Sequence, residues 1–436
     1  TKHSGTRQKG IANAIFYGVS IILIYVVLGL IIVGVFGAEA LNALSTGVAF
    51  NIIFFIILVF FAFSFLGAFE IMLPNSWANK VDRQAGKSGV VAIFFMALAL
   101  AIVSFSCTGP IVGTLLVESA SKGGIAPIVG MLGFSSAIAL PFMLFALFPT
   151  WLNSLPKSGG WMNSVKVSLG FLELAFAFKF LSNADLVLQL HLLEREVFLA
   201  IWIAIFGAWA LYLFGKITLP HDSPSTHISV GRLSLALLVL SFTVYMIPGL
   251  FGAPLKLISA FPPPQTYSES PRGFLGAAVE TSKSDLPDGA KVGEHGIITF
   301  TDYDKGLAYA KEVNKPVMLD FTGFACVNCR KMEINVWSDE KVLSVLKNDV
   351  VLISLYVDDK RELPKDQQYV SKETGKEVVT IGNKWTDFII TRYKTNTQPY
   401  YVLTDLKEQK LNEPISYTPN IDDYLAWLKD GISKFK

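Results

Sequence analysis

The sequence has little charge for its length. Only 17% of its 436 residues are charged, whereas 52% are hydrophobic and 33 are phenylalanine. A chain of this size and composition is too apolar to be a soluble enzyme throughout. Its net charge of +2 says little about partners. It has no nucleic-acid motif and no glycine-rich phosphate loop between a strand and a helix, so we expect no nucleic-acid partner.

The first ten residues lack the features of a signal peptide. The segment TKHSGTRQKG is basic and polar, without the apolar core and small-residue cleavage site of a signal peptide. A chain that opens in this way resembles one that starts within a loop. We therefore expect further sequence upstream of Thr1.

The apolar residues are concentrated in residues 11–251, which predicts a membrane domain followed by a soluble one. Most apolar spans reach the roughly 20 residues that a membrane helix needs. Helices are the open-ended way to satisfy backbone groups in lipid. The seven predicted spans are Ile11–Phe36, Phe50–Met72, Val90–Val117, Ile125–Phe148, Val165–Leu181, Val197–Phe214 and Leu233–Phe251.

Lysine and arginine are distributed unevenly between the loops. The loops on one side hold only Lys122 and Arg195. The positive-inside rule therefore places the N-terminus in the cytoplasm, and seven crossings place the C-terminal domain outside it. The basic residues of the cytoplasmic side are Lys2, Arg7, Lys9, Lys80, Arg83, Lys87, Lys157, Lys166, Lys216 and Arg232.

The third span carries a cysteine beside a helix break. Gly109-Pro110 follows Cys107 closely, and freed backbone at membrane depth is tolerated only where protein or water covers it. Pro141 in the fourth span favours a matching break, and broken helices typify sites reached alternately from two faces. A lone buried cysteine is usually inert. Its position beside this break, in a chain with a second cysteine site, favours a reactive Cys107.

Glu173 lies inside the fifth span. A carboxylate within the membrane is a functional candidate, paired with Lys179 or serving proton balance. The alternative is a carboxylate that faces a wet cavity without a catalytic duty. Both interpretations stay open.

Residues 252–294 are predicted to be a linker. They include Pro262-Pro263-Pro264 and the segment SKSDLPDG, which favour an extended, partly mobile tether. Such a tether suits a domain that visits both a membrane site and a soluble partner. The alternative is a passive spacer.

Residues 295–436 read as an α/β domain in which strands alternate with helices around a buried mixed sheet. A longer polar insertion is expected at Asp358–Lys384. The predicted helices are Asp302–Val313, a helix from Cys326 onward, and Ile421–Phe435. The predicted strands are Val317–Phe321, Val350–Val357, and edge strands at Tyr400–Leu403 and Ile415.

This domain contains a Cys-x-x-Cys pair, Cys326 and Cys329, between a strand and a basic segment that favours helix. Two intervening residues place both sulfurs on the first turn of a helix, where free N–H groups and the macrodipole favour a thiolate. Cys326 is then the nucleophile, and Cys329 resolves the mixed disulfide. The alternatives are a structural disulfide or half of a zinc site. A zinc site needs two further ligands, and His295 is the only other cysteine or histidine after the linker.

Two carboxylates accompany the pair. Glu333 follows Cys329 by one helical turn, which places it to help in handling the proton of the second thiol. A solvated Glu333 is the alternative. Asp320 resembles the buried carboxylate beneath the active site of thioredoxin-fold enzymes, and its alternative is a structural role. Gln398-Pro399, followed by the strand YYVL, resembles their cis-proline loop and makes Pro399 a site residue.

The order of parts resembles the DsbD family of transmembrane thiol:disulfide interchange proteins, whose membrane part is shared with the CcdA proteins. The resemblance covers nearly the whole chain and is most like the Bacteroidetes branch. It rests on SFSCTGPIVGTLLVE around Cys107, LPNSWANKVD after the second span, GFLELAFAFKFLS in the fifth, and DFTGFACVNCRKME in the last domain.

The sequence also departs from that family. The family has eight spans, and the first carries a proline-flanked cysteine that pairs with the one corresponding to Cys107. Seven spans and one membrane cysteine are found here, and the amino-terminal periplasmic domain that some members carry is absent. We expect a chain that lacks its first span, through truncation or an incomplete gene model.

The resemblance implies a protein-disulfide reductase of the bacterial inner membrane with its C-terminal domain in the periplasm. Electrons would pass from cytoplasmic thioredoxin through the membrane cysteines to Cys326 and Cys329. The acceptors would be periplasmic disulfide proteins, including disulfide isomerases and cytochrome c maturation factors. No metal or organic cofactor is required, because each step is a dithiol exchange.

Two other classes of function remain open on the sequence. One is a membrane-anchored thioredoxin-like oxidoreductase that is fed from elsewhere, with Cys107 inert. The other is a transport or copper-handling membrane protein in which Cys326 and Cys329 bind copper(I), since thiolates suit that ion. Met332 is the nearby soft donor for the copper hypothesis.

Overall fold

A computed structural model describes residues 11–27, 47–69, 97, 126–147, 160–220, 222, 227–270 and 286–435. The N-terminal half of this part of the chain is helical. Its helices fall on the apolar segments that the sequence marks as spans. They are α1 (Ile11–Val27), α2 (Val48–Phe65), α3 (Ala126–Leu147), α4 (Gly160–Leu188), α5 (Arg195–Leu213) and α6 (Val230–Met246).

Three helical segments among the described residues are long and apolar enough to cross a bilayer. They are Val48–Phe65, Arg195–Leu213 and Val230–Phe251, where a 3-10 turn continues α6. The third predicted span, with Cys107, lies outside the described residues. A membrane domain is therefore present, and the count of seven spans stays a prediction.

The chain divides into two compact units. One is drawn from Thr1–Phe50, Ile56–Leu174 and Ile217–Ile228, and within it Tyr25 of α1 packs with Met131 of α3. The other unit comprises the remaining residues, including α5, α6 and the whole C-terminal domain. Aromatic side chains join its helices, because the Phe206 and Phe242 rings lie 4.8 Å apart in an edge contact.

Residues 252–270, which we call the strap, are folded onto the ends of α4 and α5. Arg195 is only 2% exposed, and its guanidinium donates hydrogen bonds to the carbonyl oxygens of Pro263 at 2.7 Å and Ala253 at 3.1 Å. Burial of a guanidinium is costly, and these two hydrogen bonds offset part of that cost, although the Arg195 Nε–H has no hydrogen-bond partner among the described residues. Arg195 therefore serves as the anchor of the strap.

A second set of contacts fixes the far end of the strap. The Tyr267 hydroxyl donates to Asp185 Oδ2 at 2.8 Å, and its ring stacks on His191. The Glu196 carboxylate accepts hydrogen bonds from the Ser268 hydroxyl and the Glu269 backbone N–H. Residues 252–270 thus differ from the extended, partly mobile tether that the sequence led us to expect, because buried polar groups on α4 and α5 bind them.

The C-terminal domain is built on a five-stranded mixed sheet with the order β1-β2-β4-β3-β7. The pairs β2–β4 and β3–β4 are parallel, while β1–β2 and β3–β7 are antiparallel. A separate two-stranded ribbon is formed by β5 and β6. The strands are β1 (Ala290–Val292), β2 (Ile298–Phe300), β3 (Val317–Thr322), β4 (Val351–Tyr356), β5 (Tyr369–Val370), β6 (Glu377–Val378) and β7 (Tyr400–Thr404).

Helices cover both faces of this sheet. Because side chains alternate along a strand, Met318 and Leu319 of β3 enter different cores. The first core lies under α8, α9 and α11, and the second under α7 and α10. These helices are α7 (Tyr303–Val313), α8 (Val327–Met332), α9 (Glu340–Asn348), α10 (Ile381–Tyr393) and α11 (Ile421–Ser433).

Two elements of the domain differ from the sequence-based expectation. Helix α10 begins at Ile381, inside the segment predicted as a polar insertion, because Thr380 and Asn383 form a reciprocal N-terminal cap. Strand β1 lies in residues assigned to the linker and pairs with β2 at the edge of the sheet. Short edge strands carry too few residues for a hydrophobic period, which explains why β1 escaped the pattern.

Candidate redox site

The cysteine pair lies at the start of the helix that follows β3. Cys326 is the N-cap residue of α8, and its Sγ accepts a hydrogen bond of 3.2 Å from the Cys329 N–H. The two sulfurs are joined in a disulfide, with Cα atoms 5.3 Å apart. A sulfur in this position receives the free N–H groups of the first turn, which stabilise a thiolate.

The two sulfurs differ in exposure. Cys329 is 1% exposed, whereas Cys326 is only partly buried. A bulky partner can therefore approach Cys326 and not Cys329. This is the geometry that a nucleophilic thiol and a resolving thiol require.

The loop before the pair is held by Asp358, which follows the end of β4. Asp358 Oδ1 accepts a 2.8 Å hydrogen bond from the Phe324 N–H, and Oδ2 accepts one of 3.0 Å from Ala325. A Cβ on Gly323 would lie 2.9 Å from Asp358 Oδ2, so only glycine fits there. Burial raises the pKa of Asp358, and the two N–H groups oppose that rise.

An aromatic pair flanks this loop. The rings of Phe324 and Tyr356 stack with their centroids 4.1 Å apart and an angle of 16° between their planes. Tyr356 is the last residue of β4, so the stack ties the loop to the sheet. Stacked rings of this kind contribute about 0.5–1.5 kcal/mol beyond their buried area.

Asp320 lies within β3 and is 2% exposed. The Ser354 hydroxyl donates a 2.9 Å hydrogen bond to its Oδ2, and Thr299 continues this chain by donating to Ser354. Burial raises the pKa of Asp320 to about 7, while the Ser354 hydrogen bond and the charge of Arg330 lower it. A carboxyl group with such a pKa can both accept and release a proton at neutral pH.

Glu333 is also buried, at the start of a π-helical segment, Glu333–Trp337, that continues α8. Such segments occur frequently at functional sites. Its Oε2 lies 2.7 Å from Nη1 of Arg330, and both side chains are more than nine-tenths buried. Burial raises the pKa of Glu333, and the Arg330 guanidinium opposes the rise. The solvated Glu333 that the sequence left open is therefore wrong.

Pro399 is buried and directly precedes β7, and the Gln398–Pro399 peptide bond is cis. In the antiparallel register, Tyr400 of β7 pairs with Phe321 of β3. Pro399 therefore lies beside the end of β3, from which the loop to Cys326 departs. Its role in binding stays a prediction.

Two further candidate residues, Cys107 and Glu173, belong to the predicted membrane spans. Cys107 lies outside the described residues. Glu173 of α4 has a buried Oε2 with no hydrogen-bond partner in the described part of the chain. Neither the suggested partner of Glu173 nor the reactivity of Cys107 is tested by these contacts.

Three residues at this site were not singled out from the sequence. Arg330 belonged to a basic segment, and such segments usually face solvent. Asp358 began a segment predicted as a polar insertion. His295, whose Nε2–H donates to the Glu333 carbonyl at 2.8 Å, was considered only as a zinc ligand. An arginine followed three residues later by a glutamate is a local signal for an ion pair, but spacing does not reveal burial.

Two family models match this chain. Residues 1–184 match a family described as the cytochrome C biogenesis protein transmembrane domain, and residues 299–377 match a family described as thioredoxin-like. The second match contains the cysteine pair, β3 and β4. The two matches support the division into a membrane part and a C-terminal thioredoxin-like domain.

Curated relatives combine the same two parts. The thiol:disulfide interchange protein DsbD of Vibrio vulnificus (strain CMCP6) is 26% identical over 80% of this chain and 52% of its own length. Its namesake from Campylobacter jejuni (strain RM1221) is 25% identical over 68% of this chain and 46% of its own. DsbD 2 of Pseudomonas aeruginosa is 30% identical over 66% and 45% respectively. The chain spans about half the length of these relatives.

A solved structure, the DsbH oxidoreductase, matches 36% of this chain and 94% of its own, with 16% identity and a TM-score of 0.24. A likeness at that score adds nothing to the assignment.

The fold and the site together define a class: a thioredoxin-like domain with an oxidisable cysteine pair, joined to a membrane domain. Within that class, the relatives that match 68–80% of the chain are named thiol:disulfide interchange protein DsbD, and the chain is similar to them at 25–26% identity.

Proposed function

We propose that the chain is a membrane protein-disulfide reductase whose C-terminal pair exchanges with partner disulfides. The observation that carries this proposal is the unequal burial of two bonded sulfurs at a helix N-terminus, with a buried carboxylate in the strand below. A structural disulfide has no need of an accessible sulfur beside a proton-accepting group.

The proposed exchange takes place in two steps. In the reduced pair, the Cys326 thiolate attacks one sulfur of the partner disulfide, and the other partner sulfur leaves as a thiolate. Cys329 then gives up its proton and attacks Cys326 Sγ, which breaks the mixed disulfide. The partner has gained two electrons and, with protons from solvent, two thiols. The protein is left with the Cys326–Cys329 disulfide, as in this structure.

We further propose that the pair is recharged across the membrane. Cytoplasmic thioredoxin is the donor, and electrons pass through Cys107 together with a partner thiol, which in the family lies in a preceding span. The lysine and arginine distribution supports a cytoplasmic N-terminus and seven crossings here, where the family has eight. The C-terminal domain then faces the periplasm of the inner membrane, with disulfide isomerases and cytochrome c maturation factors as acceptors. Electron flow towards the periplasm follows from the more reducing cytoplasm.

The test uses the full chain in membrane vesicles with reduced thioredoxin on the cytoplasmic side. The redox state of Cys326 and Cys329 is read by a gel shift after thiol alkylation. We expect Cys107→Ala to abolish reduction of the pair, and the neighbouring Ser106→Ala to leave it unchanged. A Cys329→Ala variant should accumulate mixed disulfides on Cys326, and mass spectrometry then identifies the acceptor.

Three results would overturn all or part of this proposal. Equal reduction of the pair in Cys107→Ala would make the chain a membrane-anchored oxidoreductase that is fed from elsewhere. Labelling of intact cells that places the C-terminal domain in the cytoplasm would leave the relay without a destination. Tight stoichiometric copper(I) binding by the full chain, without disulfide exchange, would instead favour a copper-handling protein.

A further inference from the structure

The C-terminal domain contacts the strap through one carboxylate. Thr266 of the strap donates two hydrogen bonds to Glu294 Oε1, from its backbone N–H at 3.2 Å and from its hydroxyl at 3.3 Å. Glu294 lies between β1 and β2 of the C-terminal domain, in the same compact unit as the strap. Hydrogen bonds to an ionised acceptor are stronger than those between neutral groups. Glu294 therefore joins the domain to the strap.

The strap offers this carboxylate a fixed and positively charged surface. Tyr267, which follows Thr266, is buried and donates to Asp185 Oδ2 at 2.8 Å. Arg195, which anchors the strap, also interacts electrostatically with Glu294. A buried cation is screened less by solvent than an exposed one, so its attraction for a nearby carboxylate is greater. One arginine thus holds the strap and attracts the domain.

The residue after Glu294 connects this contact to the redox site. His295 Nε2–H donates a 2.8 Å hydrogen bond to the carbonyl of Glu333, the first residue of the π-helical segment that continues α8. His295 has a φ of 54°, in the left-handed region, where a residue other than glycine is held by its contacts. The turn Glu294–Gly296 therefore contacts the strap on one side and the helix of the cysteine pair on the other.

Lys179 indicates which part of the membrane domain lies near this helix. It belongs to α4, near the end of the predicted fifth span that the lysine and arginine distribution places outside the cytoplasm. Lys179 interacts electrostatically with Arg330, the residue directly after Cys329. Two cations repel each other, so this interaction does not hold the domain. It shows that α8 lies near this end of α4 while Glu294 is bound to the strap.

We propose that the strap is the docking surface on which the C-terminal domain is held while its disulfide is reduced, with Glu294 as the residue that binds it. This inference rests on the function proposed above and identifies the contact used in its transmembrane step. In that step a dithiol of the membrane domain gives two electrons and two protons to the Cys326–Cys329 disulfide. One disulfide forms in the membrane domain as the other opens to two thiols. Docking raises the effective concentration of the pair beside the dithiol.

The docking contact is also suited to release. Thr266 is exposed and Glu294 is only partly buried. Hydrogen bonds at such positions are exchanged against hydrogen bonds to water, so their net contribution is modest. The domain can therefore leave the strap and carry its reduced thiols to a soluble partner.

Thr266→Glu tests the docking from the side of the strap. It places a carboxylate against Glu294, and juxtaposed like charges repel. Hydrogen exchange of the amides of residues 293–297, which belong to the C-terminal domain, is measured in the oxidised full chain in nanodiscs. We expect Thr266→Glu to speed this exchange about tenfold, the change that loss of a hydrogen bond to a charged group produces. Thr266→Lys, which keeps an attractive contact, and Thr266→Ser, which keeps the hydroxyl, should stay near the unsubstituted rate.

Reduction of the pair is then followed in membrane vesicles with reduced thioredoxin on the cytoplasmic side. We expect Thr266→Glu to slow it about tenfold, and Thr266→Lys to leave it near the unsubstituted rate. Glu294→Gln removes the charge from the side of the domain and should slow reduction by a smaller factor. Glu312→Gln is its matched control, because Glu312 is an exposed glutamate of the same domain.

A third measurement separates docking from the chemistry of the pair. The reduced full chain reacts with a soluble aromatic disulfide, whose released thiolate is coloured. We expect equal rates in all these variants, because each retains Cys326 and Cys329. Absence of this reaction in the unsubstituted chain would overturn the exchange at Cys326, and not the docking.

The docking itself has its own contrary results. Unchanged hydrogen exchange of residues 293–297 in Thr266→Glu would overturn the strap as the docking surface. Faster hydrogen exchange with an unchanged rate of reduction would overturn its role in reduction. Equal effects of Thr266→Glu and Thr266→Lys would overturn the part assigned to the charge of Glu294.

Discussion

Asp320 shows what a single buried carboxyl group does to both stability and chemistry. Its pKa is raised by burial from 3.8 to about 7. The folded protein therefore binds a proton that the unfolded chain has released between these values. Stability from this group is fully present below pH 4 and is lost as the pH rises through 7. The same shift makes Asp320 a proton acceptor at neutral pH.

Asp320→Asn should remove this pH dependence. We expect the C-terminal domain of the variant to be more stable than the unsubstituted protein at pH 8, by up to about 4 kcal/mol, with little difference at pH 4. Asparagine can still accept the Ser354 hydrogen bond. Hydrogen exchange of the β3 amides in the full chain, compared at each pH, measures the difference.

Asp366→Asn is the matched control for this prediction, because Asp366 is exposed in the same domain. It should leave exchange unchanged at both pH values. A lower protection of β3 in Asp320→Asn at pH 8 would show that the carboxylate stabilises the fold instead of straining it.

Gly323→Ala should disturb the loop that presents Cys326. The added Cβ would lie 2.9 Å from Asp358 Oδ2 and 3.1 Å from its Cγ. We expect a loss of about 1–3 kcal/mol in stability. We also expect the first attack on an aromatic disulfide to slow by about tenfold or more, since small displacements at a reacting atom are costly.

Gly231→Ala supplies the comparison, because a Cβ there meets no atom within 4 Å. It should react at the unsubstituted rate. An unchanged rate in Gly323→Ala would mean that the loop tolerates the shift, and that Asp358 does not set the position of Cys326.

At the scale of residues, the sequence predicted the position of the cysteine pair better than it predicted the residues that surround the pair. The spacing of Cys326 and Cys329 and the helix after them placed the pair, because both follow from local geometry. Arg330 and Asp358 were not identified as site residues. Their importance comes from burial against strands distant in the sequence, and no periodicity records that contact.

Helix α10 covers part of the second core of the C-terminal domain. Trp385 and Ile389 enter that core from α10. Its start is fixed by Thr380 Oγ1, which accepts a 3.1 Å hydrogen bond from the Asn383 N–H. Thr380→Ala should cost about 1 kcal/mol of domain stability, because one N–H of the first turn loses its acceptor. Thermal unfolding of the domain in the full chain, followed by proteolysis, measures this change.

Thr380→Ser keeps the hydroxyl and should remain near the unsubstituted stability. Equal losses in Thr380→Ala and Thr380→Ser would assign the effect to the lost methyl group and not to the cap.

The elements were predicted where the pattern is long. Helix α11 and strands β3 and β4 were found because their apolar runs are continuous and end at clear signals. Helix α10 was missed because its first residues follow a polar segment that is rich in lysine and glutamate. Its apolar residues can be recognised as core residues only from their packing against β3 and β4.

The strap is bound by residues at the end of α4 and the start of α5, which belong to the same compact unit as the strap. Arg195→Met should release it, because the carbonyl oxygens of Pro263 and Ala253 would lose buried donors. Tryptic cleavage after Lys256, measured in nanodiscs, should then become faster. Lys256 is already exposed, so the rate reports the mobility of the backbone around it.

Arg232→Met is the control for the strap. Arg232 also donates to a backbone carbonyl, that of Tyr212, but it does not touch the strap. Cleavage after Lys256 should be unchanged in this variant. Equal cleavage in Arg195→Met and the unsubstituted chain would show that the Asp185 and Glu196 contacts hold the strap alone.

Composition predicted a membrane part followed by a C-terminal domain, since an apolar segment followed by a polar one separates lipid from water. It did not predict the strap, because proline-rich sequence favours extended backbone in the absence of a binding surface. Arg195 was counted as a loop charge for the same reason. The Arg195 side chain is buried because it binds carbonyl groups more than fifty residues away, and a count of loop charges does not reveal such contacts.

The unequal exposure of the two sulfurs has a consequence for the protein in a crowded compartment. Of these two sulfurs, only Cys326 is open to a foreign disulfide, and every conjugate on it forms next to a sheltered thiol that can attack it. The Cys329 thiol can therefore release an unsuitable partner without an external reductant. Dead-end adducts should be short-lived, so the protein clears its own errors.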